Sequence, residues 1–500
     1  MSHIRVTYTG LISFAVAIIT IFTSFIFTVI ITRTLSQEEF GIWSLINALF
    51  LSVMMGNAIV TYWSTRETAR KIESGKTAIL GSMILSVAFT SLYIIISSLM
   101  GYQTKIDLNI LLFSSILIPI LFLNGTLTAI NLGWKPHVVS YGSLALGISQ
   151  IVFGLFFIYF LKIGVYGVII TVSVSNLINI IILYKYAKPK LKNQINMDFF
   201  KSWIKLSWIS LYPMLPILIE GSGLILFSII TESVMGIAIW TAAILAPSTI
   251  SHVGLISRAI YPKLLSGENR DYLGNNITLL IFFNFLMTGL VIAFAKPILV
   301  ILNPIYEEAY FILILLALAN FFSVLSNVFI QTLTGSEMID MNKKSTFRQY
   351  LHSKLFYPYT IRLIQTSSSL IILPIGLILL IQNNYSEINL LEFWATLTFV
   401  TQIPLAFYLY LTVKKTLRFS INRITILKYF IASIVSFSLI FALSEKFLMY
   451  DELYSFILKL LLFAVIGMSF YLFSTYILDS NTRYLMKSII LEITKKIDYK

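Results

Sequence analysis

The sequence predicts an all-α polytopic membrane protein of about fourteen transmembrane helices, arranged as two six-helix lobes of the same orientation followed by two C-terminal helices. Three observations predict it. Of the 500 residues 58% are hydrophobic and only 12% charged, with a mean hydropathy of +0.87, whereas soluble domains carry roughly 25% charged residues. Apolar runs of about 20 residues, the length that crosses a hydrocarbon core, recur from Leu11 to Leu478. The basic residues behind the net charge of +14 fall on alternate loops, as the positive-inside rule requires.

Taken in order, the first span covers 11–31, follows His3 and Arg5, and has no small-residue cleavage site after it, so it reads as a retained helix and not a removed signal. Spans 41–64, 77–100, 109–131, 138–160 and 164–184 complete a first set of six. A basic stretch, 185–205, leads to 206–230, 234–256, 276–301, 309–331, 361–381 and 392–413, a second set of six. Spans 424–444 and 453–477 are additions, and the corresponding organisation is 1–190, 191–420 and 421–500. Loops are short, and the longest, 332–360, offers no room for an extramembrane domain.

With the N-terminus inside, Arg66, Arg70, Lys71, Lys76, six lysines from Lys185 to Lys205, and the basic groups of the later inward loops and tail all face the cytoplasm. Only Arg33, Lys105, Lys162, Lys296, Lys446 and Lys459 lie outward, leaving 30 of 36 basic residues inside. This distribution places both termini in the cytoplasm, and attraction to anionic headgroups accounts for the excess charge better than nucleic acid does. The segment 343–362, "KKSTFRQYLHSKLFYPYTIR", interleaves basic and aromatic residues as an interfacial helix would, and 481–500 reads the same way. There is no cysteine, hence no disulfide and no thiolate metal site.

A repeat is visible between "FGIWSLINAL" (40–49) and "IAIWTAAILA" (237–246), which align without gaps on Ile42-Trp43 and Ile239-Trp240. Parallel repeats about an axis along the membrane normal are a common transporter plan, with the substrate route between halves. The stretch "TRTLSQEEFGIWSLINALF" resembles the signature after the first helix of polysaccharide-biosynthesis flippases, of the multidrug/oligosaccharidyl-lipid/polysaccharide exporter superfamily. "AIWTAAILAPSTISHVGLISRAIYPKLL", with its Tyr261-Pro262-Lys263 turn, resembles that family's eighth helix. "NPIYEEAYFILILLALANFFSVLSNVFIQTLTGSE" resembles its outer loop and tenth helix, and "LNGTLTAINLGWKPHVVSYGSLALGISQIVFG" its fourth and fifth. The resemblance covers most of residues 5–335. It implies two lobes around a central cavity that moves polyprenyl-linked oligosaccharide to the outer leaflet of the cell membrane. Members often carry an Asp-Arg pair in the seventh helix; Gly223-Leu224 occupies that place here, and Glu220 lies one turn earlier. The loop 332–360 is also longer than the family's connection.

Glu220 stands alone in "SLYPMLPILIEGSGLILFSII" (210–230), between Pro213 and Pro216 on one side and Gly221 and Gly223 on the other. A carboxylate about 15 Å deep avoids lipid, so one reading has it lining the passage, coupling transport to protons or sodium or binding sugar hydroxyls. The other is a protonated acid bonded to a carbonyl that a proline frees. The prolines must kink or break the helix, either as a hinge or as a static bend. Arg33, at the outer mouth of the first helix, meets a lipid phosphate or pairs with Glu38 or Glu39. His252 and Arg258, about 600° apart round their helix, form a basic inner entrance with Arg66, Lys135, His3 and Arg5, or serve as membrane anchors, the reading that suits Lys135 and Arg66.

No enzyme signal is present. The chain lacks GxxxxGK[ST] and HExxH, and its four histidines (His3, His137, His252, His352) are scattered. The sequence therefore reads as a monomeric flippase with no cofactor or metal. A cation-coupled multidrug antiporter using Glu220 is the alternative within the fold, and a membrane glycosyltransferase or polymerase, for which Glu307-Glu308 is a candidate acidic pair, the alternative outside it.

Overall fold

Why so many apolar runs become helices follows from the solvent: lipid offers the backbone no hydrogen bonds, so each segment must satisfy its own. The computed structural model describes residues 19–20, 22–104, 106–257, 272–337, 349, 353–417, 421–448, 450, 452–480 and 482–483. Among these, thirteen helices are long and apolar enough to cross a membrane, and the shorter apolar helix Phe22–Thr34 (α1) lies in the first anticipated span.

The next segment is α2 (Gln37–Met54) and α3 (Ala58–Ala69), joined by a 3₁₀ turn at Met55–Asn57. Ser36 caps α2 through a reciprocal pair: its hydroxyl accepts from Glu39 N at 3.1 Å, and its own N–H donates to Glu39 Oε2 at 2.9 Å. After α4 (Gly75–Thr104) come α5 (Leu108–Ser114) and α6 (Leu117–Trp134), then α7 (Pro136–Gly154), which ends in a π-helical turn at Leu155–Phe160, and α8 (Gly164–Ala187). A short α9 (Met197–Lys205), α10 (Ser207–Leu211) and α11 (Leu215–Thr231) follow, then α12 (Met235–Ile250). The remainder is α13 (Tyr272–Ala293), α14 (Ala295–Leu302), α15 (Tyr310–Gly335), α16 (Tyr357–Gln382), α17 (Glu387–Leu417), α18 (Arg423–Phe447) and α19 (Leu453–Leu478). From the second span onward, every anticipated span falls on helix, with ends displaced by five residues or fewer where they are described.

Contacts group the chain into two units, one within 1–241 and 366–384, the other within 242–365 and 385–500. In the first, α3 and α4 pack on α6, α6 and α7 on α8, and α11 on α2. Helices in lipid have little hydrophobic reason to associate, so close approach and polar bonds do the work. Gly41 shows the first: a Cβ there would be driven into the carbonyl oxygen of Val234. Asparagines show the second. Asn124 Nδ2 donates to Asn176 Oδ1 at 2.6 Å, Asn179 Nδ2 to Asn124 Oδ1 at 3.0 Å, and Asn131 Nδ2 to the Leu183 carbonyl at 2.9 Å, tying α6 to α8.

In the second unit α15 packs on α17, and α18 and α19 pack on α13. Tyr471 donates to the Phe282 carbonyl at 3.0 Å, and Ser433 to that of Phe285 at 3.3 Å. At the membrane boundary, buried Asp479 accepts from Tyr429 Oη at 3.0 Å and from Thr482 N at 3.1 Å, binding the start of α18 to the end of α19.

The basic stretch 185–205 contains an element the sequence reading treated as loop. Helix α9 is capped by Asn196, whose side chain accepts from Asp198 N at 2.9 Å, and it buries Phe200 and Trp203. Trp203 Nε1 donates to Glu67 Oε1 at 2.9 Å, and Phe200 sits where a Cβ on Gly81 would be 2.6 Å away. The Ile-Trp pairs of the repeat occupy matching places near the starts of α2 and α12, and all four residues are buried.

Candidate functional site

Two of the helix interruptions in the first unit border one cavity. The first is the 3₁₀ turn Met55–Asn57. The second is Tyr212–Met214, where Pro213 sits in the turn and Pro216 in the first turn of α11, so the segment 207–231 is two helices and not one. A proline is tolerated in a first helical turn because its missing N–H had no intrahelical partner there. Between these turns and α6 lies a cavity of about 660 Å³. Its walls are Leu51 to Arg66 of α2–α3, Gly125 to Leu132 of α6, and Ser210, Met214, Ile217 and Leu218 of α10–α11.

The lining is graded. Leu51, Met54, Met55, Met214, Ile217 and Leu218 give an apolar surface, and methionine adapts to irregular apolar ligands. Asn57, Thr61, Thr65, Thr128 and Ser210 add amide and hydroxyl groups. Asn57 is held in place: its Nδ2 donates to the Phe122 carbonyl at 3.3 Å, its Oδ1 accepts from Thr126 Oγ1 at 3.4 Å, and a side chain at Gly125 would collide with its amide. Thr65 Oγ1 lies 3.0 Å from the Thr61 carbonyl and 3.2 Å from that of Ala129, linking α3 to α6. Charge enters at one point. Arg66, in the last turn of α3, lines the cavity with its guanidinium carbon 4.5 Å from the Tyr62 ring centroid. Nine residues separate it from Asn57, about 14 Å of helix. The cavity thus has an apolar floor, a hydroxyl-bearing middle and a cation at one end, and among the described residues no acid lines it.

Each residue singled out from the sequence has a place. Glu220 is exposed on α11 and is not among the described lining residues, although Ile217, about 60° away round the helix, is. Gly221 serves close packing, since a Cβ there would meet Leu51 Cδ2 at 2.5 Å, and Gly223 is buried. Arg33 is half-buried near the end of α1, while Glu39 is engaged in the cap of α2. His252 is exposed, its Nδ1 3.0 Å from the Thr249 carbonyl, in the 3₁₀ stretch that ends α12. Arg258, His3, Arg5, Tyr261-Pro262-Lys263 and residues 343–348 and 350–352 of the basic-aromatic segment lie outside the described residues. Glu220, Arg33 and His252 are all absent from the described lining of the cavity. Arg66, read from the sequence as an anchoring charge, does line it, whereas Lys135 stacks over Trp134 at 5.0 Å and Tyr186 at 5.9 Å.

No protein-family profile and no curated protein matches the chain. Solved structures do. A lipid II flippase MurJ in an inward closed conformation superposes with a TM-score of 0.64 at 16% identity, covering 94% of this chain and 98% of its own. An inward-facing multidrug resistance MATE family transporter of the MOP superfamily gives 0.57 at 14% identity, covering 81% and 99%. A MOP superfamily transporter from Pyrococcus furiosus, described as having a binding pocket of reversed polarity, gives 0.52 at 16%, covering 83% and 96%. The chain is a multi-pass membrane protein with the fold of the MOP-superfamily transporters.

Proposed function

We propose that this protein is a flippase, moving a polyprenyl-phosphate-linked oligosaccharide across the cell membrane by exposing a polar route to each leaflet in turn. The observation that carries this reading is the cavity lining, in which the one charged residue among those described is a guanidinium and the rest are apolar, amide or hydroxyl-bearing. Phosphate takes the planar fork of an arginine. Sugar hydroxyls find amide and hydroxyl partners, so the headgroup escapes the cost of crossing hydrocarbon unbonded, and an isoprenoid tail finds methionine and leucine. An amphiphilic cation, cargo of the alternative antiporter, would meet like charge here. The fold shared with a lipid II flippase supports the same reading.

The positive-inside pattern puts both termini, and with them the Arg66 end of the cavity, on the cytoplasmic side. The six-helix lobes 1–190 and 191–420 are the proposed moving bodies, and Pro213, Pro216 and their 3₁₀ turn the proposed hinge, with Gly221 and Gly223 packing beside it. Glu220 is the proposed site of proton or sodium coupling. Arg33 at the outer mouth and His252 and Arg258 at the inner entrance are proposed contacts for the lipid phosphate. The protein works as a monomer and makes no covalent bond.

The test is reconstitution of the purified protein into liposomes carrying a fluorescent polyprenyl-phosphate sugar in one leaflet. Protein-dependent loss of that asymmetry is expected, together with inner-leaflet accumulation of lipid-linked glycan in cells lacking the protein. Liposomes that retain the asymmetry while exporting amphiphilic cations would overturn the reading.

A further inference from the structure

A second cavity, of about 480 Å³, lies in the second unit where α14 begins and α18 ends, and the function proposed above makes no use of it. Three charged groups line it, Lys296, Glu307 and Glu445, and three rings wall it, Phe441, Tyr450 and Phe456. Lys296 is already committed: its Nζ donates to Glu445 Oε1 at 3.2 Å and stands 4.8 Å from the Tyr310 ring centroid. These contacts tie α14 to the end of α18 and offset the charge of Glu445. What remains is the carboxylate of Glu307, presented by the 3₁₀ turn Pro304–Ala309. The described lining therefore carries one formal negative charge beside an aromatic wall, in which Tyr450 and Phe456 meet edge to face at 5.4 Å. The Lys296 and Glu445 side chains are 35% and 49% exposed, so the cavity is reached from the water-facing side of these helix ends.

A carboxylate next to ring faces has the chemistry of an organic-ammonium site: the charge is balanced by the carboxylate, and the methylenes or methyls around nitrogen rest on the rings. Glu307 is exposed and so keeps its charge: an anion would face net negative charge, and a neutral sugar would make no use of it. The position supports the same class, because the cavity sits at the ends of apolar helices of membrane-spanning length, where a bilayer has its headgroups. We propose that this cavity binds an organic ammonium group, carried either by a phosphoethanolamine lipid or by a soluble amine.

The full-length protein is placed in nanodiscs of phosphatidylglycerol with increasing phosphatidylethanolamine, and in detergent is titrated with ethanolamine and spermidine. Bound lipid is counted by native mass spectrometry and stabilisation is read by thermal unfolding. Saturable stabilisation by at least one ammonium probe is expected, the two formats distinguishing lipid from soluble amine. Glu307→Gln should weaken half-saturation at least tenfold, Glu307→Asp should retain binding, and Glu308→Gln, which alters a carboxylate outside the lining, should leave it unchanged. The proposal fails if no ammonium probe binds, if Glu307→Gln binds as the parent does, if Glu308→Gln loses binding equally, or if Glu307→Asp is as deficient as Glu307→Gln. None of these outcomes bears on flipping, which is assayed separately.

Discussion

Arg66→Met isolates the charge of the first cavity from its shape. Methionine keeps an unbranched apolar stem and removes the guanidinium. The loop that follows still holds Arg70, Lys71 and Lys76, so the topological signal survives. Two terms are lost. The stacking on Tyr62, at 4.5 Å to the ring centroid, is worth about 0.5–1 kcal/mol at a partly exposed site and is a stability term. The charge-assisted bond to a phosphate is worth about 1.5–3 kcal/mol and is a binding term, equivalent to about 10- to 150-fold in affinity. Stability should thus fall slightly, seen as a small drop in Tm in detergent, while flipping at sub-saturating substrate falls at least tenfold. Arg66→Lys keeps the charge but not the fork and should lie between. Liposome flipping of a fluorescent lipid phosphate by the three proteins, at matched reconstitution, gives the measurement. Flipping by Arg66→Met at the parental rate would refute the assignment of phosphate to this end of the cavity, whatever the Tm does.

Four further outcomes are expected. Trp203→Ala removes the anchor of α9 and leaves Glu67 without its indole donor, so thermal unfolding should show a loss of about 3–5 kcal/mol. Gly41→Ala drives a methyl into the Val234 carbonyl, which is backbone and cannot swing away, so a loss of about 1–3 kcal/mol or poor insertion should appear in the same assay. Replacing both Pro213 and Pro216 with alanine restores the missing donors of α10–α11 and should slow flipping several-fold, with membrane insertion by protease protection unchanged. Glu220→Gln should flatten the pH dependence of transport, and full transport by this variant across the same pH range would remove its coupling role.

The helices were legible because lipid leaves a chain only one way to satisfy its backbone along each apolar run. Their ends were less so, as α2 shows: the Ser36–Glu39 capping box starts the helix four residues before the apolar run at 41. Helix α9 went unseen because its lysines matched the positive-inside pattern and its apolar residues were too few for a span. Phe200 and Trp203, three apart, were the available signal, and they mark one buried face. The cavity was harder. Its walls come from α2–α3, α6 and α10–α11, up to about 165 residues apart in sequence, and no local pattern joins Asn57 to Gly125 or Arg66 to Ser210. Glu220 drew attention because a lone acid in an apolar run is conspicuous, whereas Arg66 did not, because a basic residue at the inner end of a helix is what topology alone demands.

That double duty bears on mechanism. A guanidinium at a helix end serves orientation wherever it points, and it becomes a ligand contact only when the helix it belongs to is displaced beside a cavity. In this chain Arg66 stands in the last turn of α3, beyond the 3₁₀ turn Met55–Asn57, and lines the cavity. The α6–α8 side of the unit is cross-linked by Asn124, Asn131, Asn176 and Asn179, bonds that in lipid have no water to replace them. The α10–α11 side is interrupted by prolines and approaches α2 through Gly221 and Leu51, a contact that permits sliding because it is made by a glycine and the flexible end of a side chain. This unit has one wall cross-linked by hydrogen bonds and the other interrupted at prolines, with the cavity between them. With Pro213 and Pro216 as the proposed hinge, opening it would bend turns already broken, and no helix would need to unwind in the bilayer.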